Sequence, residues 1–244
     1  MRAKAVEIPE PGARADGSQA PGRQAPSGEL LAPSGELLAR DFFDRPTVVV
    51  AQGLLGMLLL RRDVSGVTTG GIIVETEAYG GPEDRASHAR AGRTRRTAPM
   101  FGSPGYAYVY LIYGLHSCLN VVTEKEGAAG AVLLRAILPT VGSEAIRARR
   151  NRPGELTARL AAGPARLCQA LGVDRTWDGH DLTAGQELWL ARPSSEELTA
   201  TIAGGVVSGP RIGVAYAGEG WAERRWRFGL RSHPALSRAF RASS

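Results

Sequence analysis

Val74-Glu75-Thr76-Glu77-Ala78-Tyr79 is the stretch on which the reading of this chain turns. Gly71 to Ala78 has the apolar and β-branched content of a strand, closed by Gly80-Gly81-Pro82. In an extended segment Glu75, Glu77 and Tyr79 share one face, because side chains alternate. Two carboxylates and a phenol ring thus point the same way. Around them, up to Pro139, lie His88, an arginine cluster, the run Tyr106-Ala107-Tyr108-Val109-Tyr110-Leu111-Ile112-Tyr113-Gly114, then Asn120 and Arg135. Five of the six tyrosines fall between positions 79 and 113. Flat electron-rich rings beside an acid and many cations suit a nucleobase taken out of its stack next to a phosphate backbone.

Working outward, Arg45-Pro46 opens a helix over Val48 to Leu55, and Met57 to Arg62 reads as a strand. Glu83 to Ala89 reads as a short helix carrying His88. Tyr106 to Ile112 and His116 to Val122 form a β-hairpin with Tyr113-Gly114 at its tip. Ala131 to Ile137 is a buried strand with Arg135 inside it. A buried guanidinium needs a partner, and Glu77 is the obvious one. Asn120 in a β run likewise needs polar company. Further on, helices are expected over Gly142 to Arg152 and Thr157 to Leu171, and strands over Glu187 to Ala191 and near Pro210 to Val214. Trp226-Arg227-Phe228 is expected to end the ordered core, with Pro234 to Ser244 trailing off.

Before residue 41 the chain is rich in Pro, Gly, Ala and Ser, and Ala25 to Leu31 repeats at once as Ala32 to Leu38. Two copies containing Pro and Gly make neither a solenoid nor a coiled coil. Residues 1–40 are therefore expected to be a disordered tail, the second copy starting a helix near Leu37, with one domain over 41–244.

The net charge is +6 and the sequence pI about 9.8, with only two lysines, Lys4 and Lys125, among thirty cationic residues. Arginine forks suit phosphate. Cys118 and Cys168 match no metal or disulfide spacing and read as buried thiols of a reducing compartment. No signal peptide or membrane span is expected: the longest apolar run, Thr47 to Leu60, is too short. The expectation is a cytoplasmic protein, on the nucleoid when bound to DNA, needing neither metal nor cofactor.

Each feature also has a plainer reading. Alone, Glu75 and Glu77 would be the wet face of an edge strand, Tyr106 and Tyr108 packed cross-strand rings, and His88 a surface or core histidine. Two carboxylates on one strand face cannot flank a sugar as a glycosidase requires. A zinc base deaminase would need a Cys-x-x-Cys.

Taken in order, Leu54-Leu55-Gly56, Val74 to Tyr79, Pro82-Glu83-Asp84, His88, Met100-Phe101-Gly102, Tyr108-Val109-Tyr110, Tyr113-Gly114, Cys118-Leu119-Asn120, Leu133-Leu134-Arg135 and Gly163-Pro164 resemble the alkyladenine (3-methyladenine) DNA glycosylase family. The resemblance covers about residues 41 to 240. It implies a single compact α/β domain with a curved, largely antiparallel sheet and a β-hairpin that enters the DNA minor groove. It further implies that Glu77 activates water and Arg135 positions it. By the same resemblance Tyr79, His88 and Tyr110 wall the base pocket, Asn120 screens its floor, and Tyr113 fills the gap left by the flipped nucleotide. The partner would be damaged double-stranded DNA, met by a monomer. The alternative is a non-catalytic minor-groove binder using the same wedge and arginines. The lesions 3-methyladenine, hypoxanthine, ethenoadenine and 7-methylguanine stay open, since one methyl is worth only ~1–3 kcal/mol. Thr94-Arg95-Arg96-Thr97 departs from the family's Thr-Pro-Arg-Asn, which puts that loop's conformation in question.

Overall fold

The computed structural model describes residues 35–240. At its centre is the long strand β3 (Thr68–Tyr79 in chain order), preceded by β1 (Glu36–Leu37), α1 (Thr47–Gly53) and β2 (Leu58–Arg62). The hairpin strands β4 (Ala107–Ile112) and β5 (His116–Val122) follow, then β6 (Ala131–Val141), α2 (Ser143–Arg150) and α3 (Pro164–Leu171). The chain closes with β7 (Leu188–Arg192), α4 (Ser195–Ile202), β8 (Val206–Gly209) and β9 (Arg227–Leu230). One open antiparallel sheet runs β1-β7-β2-β3-β6-β5-β4, making a mixed α/β domain. β6 accompanies β3 along almost its whole length, while β2 pairs with Thr68 to Ile72 and β9 with Glu75 to Glu77.

This flanking decides what β3 can do. Strand neighbours on both sides take its backbone groups, so its side chains carry the variety. Val74 and Ala78 join the main hydrophobic core with Val50 and Ala51 of α1, and the Thr76 hydroxyl donates to the Ala51 carbonyl at 2.8 Å. Alternation sends Glu75, Glu77 and Tyr79 to the other face. Register shifts beside Glu75 mark bulges, the device by which strands re-aim side chains next to sites.

Several expectations need correction. The helix over Thr157 to Leu171 is split into a 3-10 turn at Thr157–Arg159 and α3, because Gly163 sits at φ +126° and Pro164 then starts a new helix. Glu83 to Ala89 is a series of turns, with only a 3-10 helix at His88–Ala91. Its backbone is claimed by side chains: Asp84 accepts from the Gly80 and Ala86 N–H groups, and Ser87 from that of Ala89. Pro210 to Val214 is not a strand; β8 ends at Gly209, and Gly213 turns the chain at φ +77°. Glu36–Leu37 form a strand against the free edge of β7 instead of a helix or part of a tail. Pro234 onward does not trail off, since Ala235 and Leu236 are buried. The rest of the supposed tail, most of the repeat and residues 241–244 lie outside the described residues. Among the described residues no helix is long and apolar enough to cross a membrane.

Candidate active site

The two carboxylates of β3 are both fully buried, so the wet-edge reading of them fails. Arg135, from β6, reaches both: its Nε donates to Glu75 Oε1 at 2.9 Å and one terminal nitrogen lies 3.1 Å from Glu77 Oε2. Burial by itself works against the charged guanidinium, but Glu77 and Glu75 outweigh it and hold Arg135 above its ordinary value. Glu77 takes two further donors, the Tyr79 hydroxyl on Oε2 at 2.8 Å and the Ile212 backbone N–H on Oε1 at 2.8 Å. A carboxylate offers about four acceptor positions. Glu77 therefore keeps one to spare.

Above this pair opens a cavity of about 390 Å³ lined by Tyr79, His88, Tyr108, Tyr110, Asn120, Arg135, Ile212 and Tyr216, among others. Glu77 lies one layer behind it, bonded to three of those lining groups. The walls are aromatic: His88 meets Tyr110 edge-on at 4.6 Å between centroids, and Tyr108 lies 5.4 Å from Tyr110. Burial, with Arg96 and Arg90 adding to it, depresses His88 to about 4, so the ring is neutral near pH 7. Arg96 lies 3.4 Å from Nε2, which makes Nδ1 the protonated nitrogen and the donor to the Tyr108 hydroxyl at 3.0 Å. Burial likewise pushes the Tyr79 and Tyr110 phenols up, and Glu77 adds to the effect on Tyr79. Asn120 is buried and donates to the Tyr108 carbonyl at 2.9 Å, which leaves its own carbonyl oxygen for whatever enters.

The hairpin tip stands apart. Tyr113 is 91% exposed and Leu115 78%. Tyr113 and Gly114 lie at φ +53° and +70°, the left-handed pair that suits the twist of a tight hairpin. Gly114 adopts this freely, but for an aromatic residue it is a strained conformation of the kind found at functional sites.

Of the residues expected in the site, Glu77, Arg135, Tyr79, His88, Tyr110 and Asn120 converge on the cavity, and Tyr113 lines its rim. Sequence reasoning missed several neighbours. Leu115 was findable from its place beside the Tyr113-Gly114 turn. Arg211 and Asp84, both buried, form a two-pronged pair at 2.5 and 2.9 Å, and Arg211 packs 4.9 Å from the Tyr79 ring and 5.1 Å from that of Trp226. No local signal joins residues 127 positions apart. The departing loop is closed by Thr97, whose hydroxyl accepts from the Thr94 N–H at 2.7 Å and donates to the Gly92 carbonyl at 2.7 Å, and Arg96 on it lies over the Tyr110 ring. A larger cleft of about 690 Å³, between β8 and residues 231–240, is lined by Arg159, Arg225, Arg231 and His233 and by no tyrosine, so it lacks the tyrosine walls of the smaller cavity.

A model of the methylpurine-DNA glycosylase family matches residues 41–234. The mouse protein named DNA-3-methyladenine glycosylase is 43% identical over 208 residues, covering 82% of this chain and 61% of its own length. Its human namesake is 41% identical over 221 residues, covering 87% and 70%. A protein of Anaeromyxobacter dehalogenans with the same activity in its name is 50% identical over 204 residues, covering 82% and 85%. The chain thus spans less than two thirds of the mouse protein and most of the bacterial one.

Proposed function

The chain belongs to the methylpurine-DNA glycosylase family, and on that premise we propose that it is a DNA glycosylase of base excision repair, hydrolysing the N-glycosidic bond of alkylated or deaminated purines in double-stranded DNA. One observation carries the reading for this chain: a buried Glu77–Arg135 pair with a spare acceptor position lies directly behind a tyrosine-walled cavity, with an exposed aromatic at its rim. A cavity of about 390 Å³ falls within the ~300–1,000 Å³ typical of ligand pockets. A minor-groove binder without chemistry has no use for a desolvated carboxylate held on three donors, since burying it only costs stability.

In the proposed reaction Tyr113 occupies the stack while the damaged nucleotide turns into the cavity between Tyr79, His88 and Tyr110. These rings favour a cationic purine by ~0.5–2 kcal/mol per contact. The C1′–N bond breaks with its electron pair going to the base, which leaves neutral if it entered as an alkylated cation, and as an anion that takes a proton from solvent if it entered uncharged. Water adds its oxygen to C1′ and gives its proton to Glu77, whose charge also stabilises the oxocarbenium-like sugar. The water takes the acceptor position that Glu77 keeps free on Oε1, beside the Ile212 N–H, while Arg135 and the Tyr79 hydroxyl hold Oε2. Asn120 tests the base edge at the floor. The protein acts as a monomer, in the compartment that holds the DNA, through a catalytic domain running from β1 at Glu36, with the residues before it outside the machinery.

Among the described residues no amine stands near the sugar: Lys125 is exposed on the turn after β5, and no lysine lines the cavity. The enzyme is therefore monofunctional, leaving an intact strand with an abasic site. Incubation with alkylated duplex should release free base and create alkali-labile sites, with no adduct trapped by borohydride. Binding of the lesion without any base release would sink the enzymatic reading.

A further inference from the structure

Glu75 has no part in the chemistry just described, yet it is fully buried and accepts four hydrogen bonds. Its Oε1 accepts from Arg135 Nε at 2.9 Å, from Arg227 at 3.2 Å and from the Ser237 hydroxyl at 2.8 Å; its Oε2 accepts from the Ser237 backbone N–H at 2.6 Å. Three of these donors share Oε1 and the fourth holds Oε2, so both oxygens are tied to protein groups. The Ser237 hydroxyl, while donating to Glu75, accepts from the second terminal nitrogen of Arg135 at 3.2 Å. Arg135 is thus gripped at every nitrogen: Glu75, Glu77 and Ser237.

The outer half of this grip comes from the end of the chain. Arg227 donates to the carbonyls of Arg238 at 3.0 Å and Ala239 at 3.3 Å, and its guanidinium lies 3.7 Å from the centre of the Phe240 ring. Ala235 and Leu236 are buried just before Ser237. Two carboxylates and two guanidiniums, Glu75, Glu77, Arg135 and Arg227, make a buried set whose charges balance. From this geometry we infer that Glu75 is a positioning residue acting through Arg135, and that residues 234–240 are a working part of the active site, not a terminal appendage. This rests on the proposed roles of Glu77 and Arg135. Glu75 fixes the orientation of Arg135, and Arg135 in turn fixes Glu77, which receives the attacking water. An arginine with one free rotor would reach Glu77 in many poses, and small misplacements are costly where reacting groups must align.

The test is single-turnover excision at saturating lesion duplex, with duplex affinity and melting temperature measured on the same preparations. Glu75→Gln should slow excision by about 100-fold, the penalty of a misplaced positioning group, while affinity stays within about twofold. Ser237→Ala removes only a hydroxyl from a partly exposed residue, so it keeps the fold if Glu75→Gln does not. It should slow excision by about five- to tenfold, the worth of one hydrogen bond. The decisive step is a cycle with Arg135→Ala: in that background Ser237→Ala should slow excision no further, because the path through Arg135 is already gone. Normal excision by Ser237→Ala, or losses that multiply undiminished in the Arg135→Ala background, would overturn the inference. Unimpaired excision by Glu77→Gln would instead remove the underlying reading and is distinguishable from either.

Discussion

The floor of the cavity and the tip of the hairpin use opposite constructions. At the floor, Glu75, Glu77 and Arg135 are buried, and they bind one another and groups from distant segments. At the tip, Tyr113 and Leu115 are almost wholly exposed on a turn with two left-handed residues. The floor is costly to build and finished before any ligand arrives. The tip costs a little backbone strain and, in the proposed reaction, gains its contacts only on insertion. On that proposal preorganisation belongs to the chemical step, and adaptability to the search and flipping step. Substitutions in the two regions should accordingly separate in both stability and kinetics.

Breaking the floor should have the largest effect. Arg135→Ala leaves two carboxylates buried without their shared cation, and removing one partner of a buried pair costs about 3–5 kcal/mol. Urea denaturation should report that loss, with single-turnover excision slowed more than by Ser237→Ala but still measurable. A variant as stable as the parent would mean that the buried set is not the balanced unit described here.

At the tip, Tyr113→Ser should leave stability unchanged and weaken lesion binding by ~1–3 kcal/mol, the value of one base–aromatic stack. That is about 10- to 100-fold in affinity. Equal affinity for lesion duplex would show that the tip stays outside the helix.

The smallest expected effect concerns the wall between the two. His88 has a folded value near 4 against 6.5 for the free side chain, so burial favours its neutral form. Between those values the unfolded chain binds the extra proton and the folded one does not. Its contribution is therefore fully present above about pH 6.5 and is lost as pH falls towards 4. The melting temperature of the parent should drop more between pH 7 and pH 5 than that of His88→Asn. Parallel drops would place His88 in a solvated setting.

These regions were unequally visible in the amino-acid sequence. The shared face of Glu75, Glu77 and Tyr79 follows from alternation, and the hairpin from two β-rich runs around Tyr113-Gly114. The need of Arg135 for an acid was equally plain. What escaped came from far along the chain or from the backbone. Ser237 lies 162 residues from Glu75, in a segment whose proline, serines and arginines have the composition of a tail. The Ile212 N–H on Glu77 is a backbone group in what reads as a strand, and no side chain announces it. The helix α4 is a different case. Ser194 and Glu197 form a capping box that is written in the sequence as Ser-x-x-Glu and was simply not used.

Glu77 is proposed as the group that takes a proton from water, and Glu77→Gln tests that role with the least disturbance of shape. The measurement is single-turnover release of 3-methyladenine from a defined duplex, made beside equilibrium binding of the same duplex. The expected result is binding within a fewfold of the parent and excision slower by at least about 100-fold, the low end of what a positioned general base contributes. A variant that binds and still excises at the parent rate would contradict it.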